Sequence, residues 1–228
     1  MPTDVVFIPA LLCDEDLYRD VITIAGDAIE ARVMISPQSS LAASAADILS
    51  QAPPHFALVG TSYGGNLALE VALTAPERVT ALWLMGCDPA GPRASDPDLA
   101  SGLIAQPDAV IDSLAGLVVH PDATEAAARF VAMAHRIGGH AGAAQATALA
   151  ARREVTSRLG MLHMPAMVLW GKNDAVVPLA IGRALADDLP HAHFHVLKDC
   201  GHLPTLERPV EAAALFIEFL THEQHHHH

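Results

Sequence analysis

Residues 60–64 read Gly60-Thr61-Ser62-Tyr63-Gly64, between the apolar run Phe56-Ala57-Leu58-Val59 and a helical pattern that begins at Tyr63. A serine with glycine two places before it and two places after it fits a strand-to-helix turn too tight for larger side chains. Gly65 extends the allowance for close helix–strand approach. Such a turn lifts the hydroxyl clear of a sheet, which a serine nucleophile requires, because a base must reach its proton.

The surrounding pattern supplies that sheet. Short apolar runs at Val5–Ile8, Arg32–Ile35, Phe56–Gly60, Val79–Met85, Met167–Trp170 and His193–Leu197 predict six strands. Between them, apolar residues at three- and four-residue steps predict helices over Asp14 to Ala25, Leu41 to Gln51, Tyr63 to Thr74 and Leu179 to Asp188, with a last one over Val210 to Leu220. Strands apolar on both faces, separated by helices, imply an α/β fold whose mostly parallel sheet is covered on both sides. Residues 89–160 break the rhythm: they are alanine-rich, lack a convincing strand, and are punctuated by Pro92, Pro97, Pro107, Pro121 and Gly138-Gly139. A stretch that long is no plain connection. It is expected as a helical cap inserted between two halves of a core, 1–88 and 161–222. Residues 225–228 are all His and read as a purification-tag remnant.

A chain of 228 residues, 51% of them hydrophobic and 17% charged, can bury a large core and is not disordered. The formal charge of −13 would repel phosphate backbones, which argues against nucleic-acid binding. No apolar stretch approaches the roughly 20 residues of a membrane span. The start, Met1-Pro2-Thr3-Asp4, carries no basic region of the kind that opens a signal peptide. Three widely spaced cysteines, Cys13, Cys87 and Cys200, fit a reducing, cytoplasmic setting.

A serine nucleophile needs a base, and the base needs an orienting carboxylate. Two residues downstream of Ser62 follow strands as required: Asp174, after Met167–Trp170, and His202, in the loop after the last strand. The order Ser, Asp, His runs along the chain. In these motifs the chain resembles the α/β-hydrolase superfamily, close to its small single-domain carboxylesterases. The matching stretches are F-I-P-A-L-L-C-D at 7–14, V-G-T-S-Y-G-G at 59–65, A-P-E-R-V at 75–79, V-L-W-G-K-N-D-A-V-V-P at 168–178 and C-G-H-L-P-T-L-E-R-P at 200–209. The antiparallel hairpin that usually opens that fold is expected to be missing, which leaves about six strands.

The resemblance implies Ser62 as nucleophile, His202 as base and Asp174 as its orienting acid, without a metal or organic cofactor. It implies an oxyanion hole from the backbone N–H groups of Tyr63 and, by motif position, Leu11. Ala10 stands where a glycine is usual. Asp88, after the fourth strand, is the rival acid, since some relatives place theirs there. The expected reaction is hydrolysis of a small, apolar carboxylic ester through an acyl-serine. Carbon–carbon bond hydrolysis, lactone opening and perhydrolysis by the same triad remain open, as does a ligand receptor that retains it.

Other residues carry blander readings. His191, His193 and His195 alternate on one face of a strand but lack a Cys or carboxylate at matching spacing, so they read as partly exposed edge residues rather than metal ligands. Trp83, Phe130, Met133 and Met161 read as core or cap packing.

Overall fold

The computed structural model describes residues 1–226, with side chains to residue 223. The four terminal histidines read as a tag therefore lie outside the described side chains, and residues 227 and 228 outside the described residues.

Six strands form one sheet: β1 (Thr3–Ile8), β2 (Ile29–Val33), β3 (Phe56–Thr61), β4 (Val79–Met85), β5 (Ala166–Gly171) and β6 (Ala192–Leu197). Their order is β2-β1-β3-β4-β5-β6, and every adjacent pair is parallel. Parallel neighbours need crossovers, and the helices provide them: α1 (Asp16–Ala25), α2 (Leu41–Gln51), α3 (Tyr63–Thr74) and α8 (Leu179–Asp188). A short α9 (Pro204–Glu207) and a long α10 (Pro209–His226) end the chain.

The alternation of side chains along each strand divides the core in two. Val5, Phe7, Val59, Trp83, Met85 and Leu169 face one layer, which α1 and α10 cover. Val6, Ile8, Leu58, Leu84, Val168 and Trp170 face the other, under α2, α3 and α8. β3 is buried at all six positions, as a central parallel strand must be. Trp83 stacks on Phe216 of α10 with ring centroids 4.6 Å apart, which pins the last helix to the middle of the sheet.

One strand differs from expectation. The second strand runs Ile29–Val33 instead of Arg32–Ile35, because its ladder pairs Thr3 with Ile29 and Phe7 with Val33. As an edge strand it alternates part-buried and exposed positions after a buried Ile29, so no apolar run spans it.

Residues 89–160 hold four helices, α4 (Leu99–Ala105), α5 (Pro107–Ala115), α6 (Thr124–Ile137) and α7 (Gly139–Ala150), between β4 and β5. α4 packs on α7 and α5 on α6, and the group rests on the main body through α1 and α3. Phe130 and Met133 of α6 are buried in the layer shared with α1. Met161, expected to pack, is 64% exposed, because it ends a short 3-10 turn with nothing over it.

Candidate active site

Ser62 sits at the junction of β3 and α3 with φ 58° and ψ −120°, a backbone conformation that non-glycine residues seldom adopt. Holding it costs about 1–3 kcal/mol. Its surroundings enforce it. The Ser62 N–H donates to the Met85 carbonyl at the end of β4 at 2.7 Å, and the Ser62 carbonyl accepts from Gly65 and Asn66 at 2.9 and 3.0 Å. A Cβ on Gly60 would collide with the Gly64 carbonyl, and one on Gly64 with the Ile8 carbonyl. The two glycines thus let helix and strands close around the serine.

The loops after β5 and β6 are joined to each other. Lys172 N–H donates to the Leu197 carbonyl at 2.9 Å, and Asn173 N–H to the Cys200 carbonyl at 2.8 Å. This seam sets Asp174 beside His202. The Asp174 Oδ2 lies 2.8 Å from His202 Nδ1, and His202 Nε2 lies 2.8 Å from Ser62 Oγ. The side chains of His202 and Asp174 are only 3% and 1% exposed, so the contact works in a low dielectric. The other Asp174 oxygen accepts the N–H groups of Val176 and Val177, both at 2.9 Å.

Asp88 is engaged elsewhere. Its Oδ1 accepts the Ala90 N–H at 3.0 Å, its Oδ2 lies 3.6 Å from Arg93, and its carbonyl accepts from Asn66 Nδ2 at 2.8 Å. Between the two candidate acids, the imidazole faces Asp174.

Tyr63 is the first residue of α3, so its N–H has no intrahelical acceptor and opens beside Ser62 at the positive end of the helix dipole. Leu11 lies in a turn closed by the Cys13 N–H to Ala10 carbonyl bond, 3.0 Å. The next amide, that of Leu12, donates to Gln145 Oε1 at 2.9 Å, which leaves Leu11 as the neighbouring donor of this loop.

Three features escaped the sequence reading. Glu207 of α9 grips the histidine loop: its Oε1 accepts from Gly201 and His120 at 2.8 and 2.7 Å, and its Oε2 from Leu203 at 2.9 Å. It therefore holds both neighbours of His202 and ties them to the loop after α5. The C-G-H-L-P-T-L-E-R-P stretch contained Glu207, but nothing in it showed that the carboxylate turns back onto its own backbone. Tyr18 bridges the Ile8 carbonyl and Thr61 Oγ1, both at 2.7 Å, beneath the serine turn. Finally, α6 and α7 clamp the loop after β1. Arg136 meets Asp14 at 2.6 Å, Arg129 meets Asp16 and Asp20 at 2.9 and 2.8 Å, and Gln145 takes the Leu12 amide.

All three cysteines are buried, and burial pushes each thiol up, that of Cys87 to about 12. Burial therefore disfavours the thiolate form of each. His193 stands 6.4 Å from His222 and His191 the same distance from His163, ring to ring. Among the described residues no group of three or more His, Cys, Asp or Glu is placed to hold a metal ion. No described helix is long and apolar enough to cross a membrane.

Known proteins share this fold. The chain is 31% identical over 180 residues to the 2-hydroxy-6-oxononadienedioate/2-hydroxy-6-oxononatrienedioate hydrolase 1 of Dechloromonas aromatica strain RCB, covering 72% of this chain and 62% of that protein. It thus spans somewhat under two thirds of that relative's length. Its fold resembles that of a thermophilic esterase from Thermogutta terrifontis, with a TM-score of 0.87 at 20% identity, over 98% of this chain and 91% of that one. It also resembles the enol-lactonase from Burkholderia xenovorans LB400, with a TM-score of 0.86 at 18% identity, over 97% and 92%. The alpha/beta hydrolase family matches residues 13–215, nearly the whole length. The chain belongs to the α/β-hydrolase family.

Proposed function

We propose that this protein is a serine hydrolase that cleaves small, apolar carboxylic esters through an acyl-serine intermediate. The observation that carries the reading is the unbroken hydrogen-bonded path from Ser62 Oγ through His202 to Asp174. Ser62 Oγ attacks the acyl carbon as its proton passes to His202 Nε2. The imidazolium formed is stabilised by Asp174 at Nδ1, and the developing oxyanion by the N–H groups of Tyr63 and Leu11. Each such donor is worth about 3–4 kcal/mol of barrier lowering. Collapse expels the alcohol, which takes the His202 proton. Water then repeats the sequence on the acyl-serine and frees the acid. Helices α4–α7 serve as a cap over this centre, and the substrate lies between cap and sheet edge.

A second reading, carbon–carbon bond hydrolysis by the same residues, is favoured by the name of the Dechloromonas relative. That name describes a dicarboxylate, which calls for free cations at the site. Arg129 and Arg136, which reach from α6 to the loop after β1, are already engaged by Asp14, Asp16 and Asp20. Neither arginine is therefore free to meet a substrate carboxylate.

The test is a panel of p-nitrophenyl esters of increasing acyl length, run beside 2-hydroxy-6-oxononadienedioate, with wild type and Ser62→Ala. Turnover of the short esters that vanishes in Ser62→Ala is expected. Faster turnover of the dienedioate would favour the second reading, and ester turnover surviving in Ser62→Ala would remove the serine from the mechanism. A triad-bearing receptor would show almost no turnover of either substrate.

A further inference from the structure

The turn that carries Leu11 holds a residue in the wrong conformation for its type. Cys13 N–H closes the turn onto the Ala10 carbonyl at 3.0 Å, and Leu12, its third residue, has φ 65°. That is the arrangement of a type II turn, whose third position favours glycine or asparagine. Rotating the Leu11–Leu12 peptide by half a turn would give the type I form and relieve the leucine. What opposes the rotation comes from 133 residues away: the Leu12 N–H donates to Gln145 Oε1 at 2.9 Å. Both residues are buried, Leu12 at 0% and Gln145 at 2% exposure, so water cannot replace the bond. The Leu12 side chain also lies so close to Gly142, one turn before Gln145 on α7, that a Cβ there would strike its Cδ2 at 2.5 Å.

We propose that Gln145 is a positioning residue of the reaction: by holding the Leu11–Leu12 peptide it keeps the adjacent Leu11 N–H aimed at the oxyanion. The inference rests on the serine-hydrolase reading above. It makes α7 part of the catalytic apparatus, because the cap supplies the oxygen that sets one wall of the oxyanion hole. The bonds from Arg136 to Asp14 and from Arg129 to Asp16 fix the segment that follows the turn, so Gln145 acts on a loop already tethered. The Leu11 Cα is the hinge shared by the two peptide planes. Freed there, the donor drifts, and misplacement of about 1 Å can cost on the order of 100-fold in rate.

The experiment compares wild type, Gln145→Leu and Gln145→Glu, the last keeping an acceptor oxygen at the same reach. Sites are counted by labelling with a fluorophosphonate, so that only folded enzyme enters kcat. For p-nitrophenyl acetate, Gln145→Leu is expected to lose roughly 10–100-fold in kcat per labelled site, short of the outright loss of a donor, with KM within about threefold. Inhibition by butylboronic acid, whose serine adduct places an oxygen in the oxyanion hole, weakens by the same factor, and the pH profile keeps its midpoints. Gln145→Glu returns kcat to within about fivefold of wild type. If Gln145→Leu gives no soluble enzyme, Gln145→Met carries the same expectations. Unchanged kcat in the apolar variant, or a fall in kcat with boronate affinity unaltered, overturns the proposal alone. A wild type that the fluorophosphonate does not label overturns the serine reading, and this inference with it.

Discussion

Asp174 meets His202 through one oxygen while the other is held by two backbone amides, those of Val176 and Val177. The carboxylate therefore cannot rotate away, and the imidazole receives a fixed acceptor at Nδ1. In Asp174→Asn the side-chain oxygen stays on the two amides and its NH2 turns to Nδ1. The histidine must then carry its proton on Nε2, facing Ser62, where it cannot accept another. Turnover of a short ester should fall roughly 1,000–10,000-fold. Asp88→Asn should change it by less than about threefold. A large loss from Asp88→Asn, measured side by side, would reverse the assignment.

Glu207 provides a second test, of the loop rather than the reacting atoms. Its removal strands the N–H groups of His120, Gly201 and Leu203. At about 1 kcal/mol for each half-buried amide, Glu207→Ala should lose about 2–4 kcal/mol in urea unfolding. kcat should drop as His202 loses its fixed approach to Ser62. Stability unchanged within 0.5 kcal/mol (about the error of such a comparison) would show that the amides find other acceptors.

The α6 clamp is testable through pH. The bonds from Arg129 hold the Asp16 carboxyl below its ordinary value of 3.8. Because the folded value lies below the unfolded one, the pair stabilises the protein fully above pH 5. That contribution disappears as pH falls through the folded value, below 3.8. Arg129→Met should cost about 1–3 kcal/mol at pH 7, with the gap from wild type closing under strongly acidic conditions. A gap independent of pH would mean that Arg129 acts by packing alone.

Thiol chemistry makes a fourth prediction. With Cys13, Cys87 and Cys200 each at most 1% exposed, and each thiol raised by burial, a disulfide reagent should react with none in the native protein. All three should react in denaturant. Fast labelling of Cys13 in the native state would show that the loop after β1 opens.

What the sequence disclosed follows from how locally each feature is encoded. Ser62 comes directly after a strand, and Asp174 and His202 in the loops that follow two others, each in a motif whose neighbours are the residues that shape its turn. The buried strands announced themselves because a parallel strand between two layers is apolar throughout. β2 was read a few residues late, because its exposed positions blur the apolar run and its register is set by pairing with β1. Gln145 gave no sign: one glutamine in an alanine-rich helix acquires its role only when α7 docks on a turn 133 residues earlier. Glu207 was in plain view but needed three amides that only the folded loop brings to it.

The backbone at Ser62 carries a consequence for exchanging its contents. With φ at 58°, the turn is a socket that admits side chains by shape before chemistry. Asparagine or aspartate, unbranched at Cβ like serine, would disturb β3 and α3 less than a β-branched residue. Threonine keeps the hydroxyl, yet its branched β-carbon is unsuited to that dihedral. The chemically mildest exchange would thus be the harsher one for the scaffold.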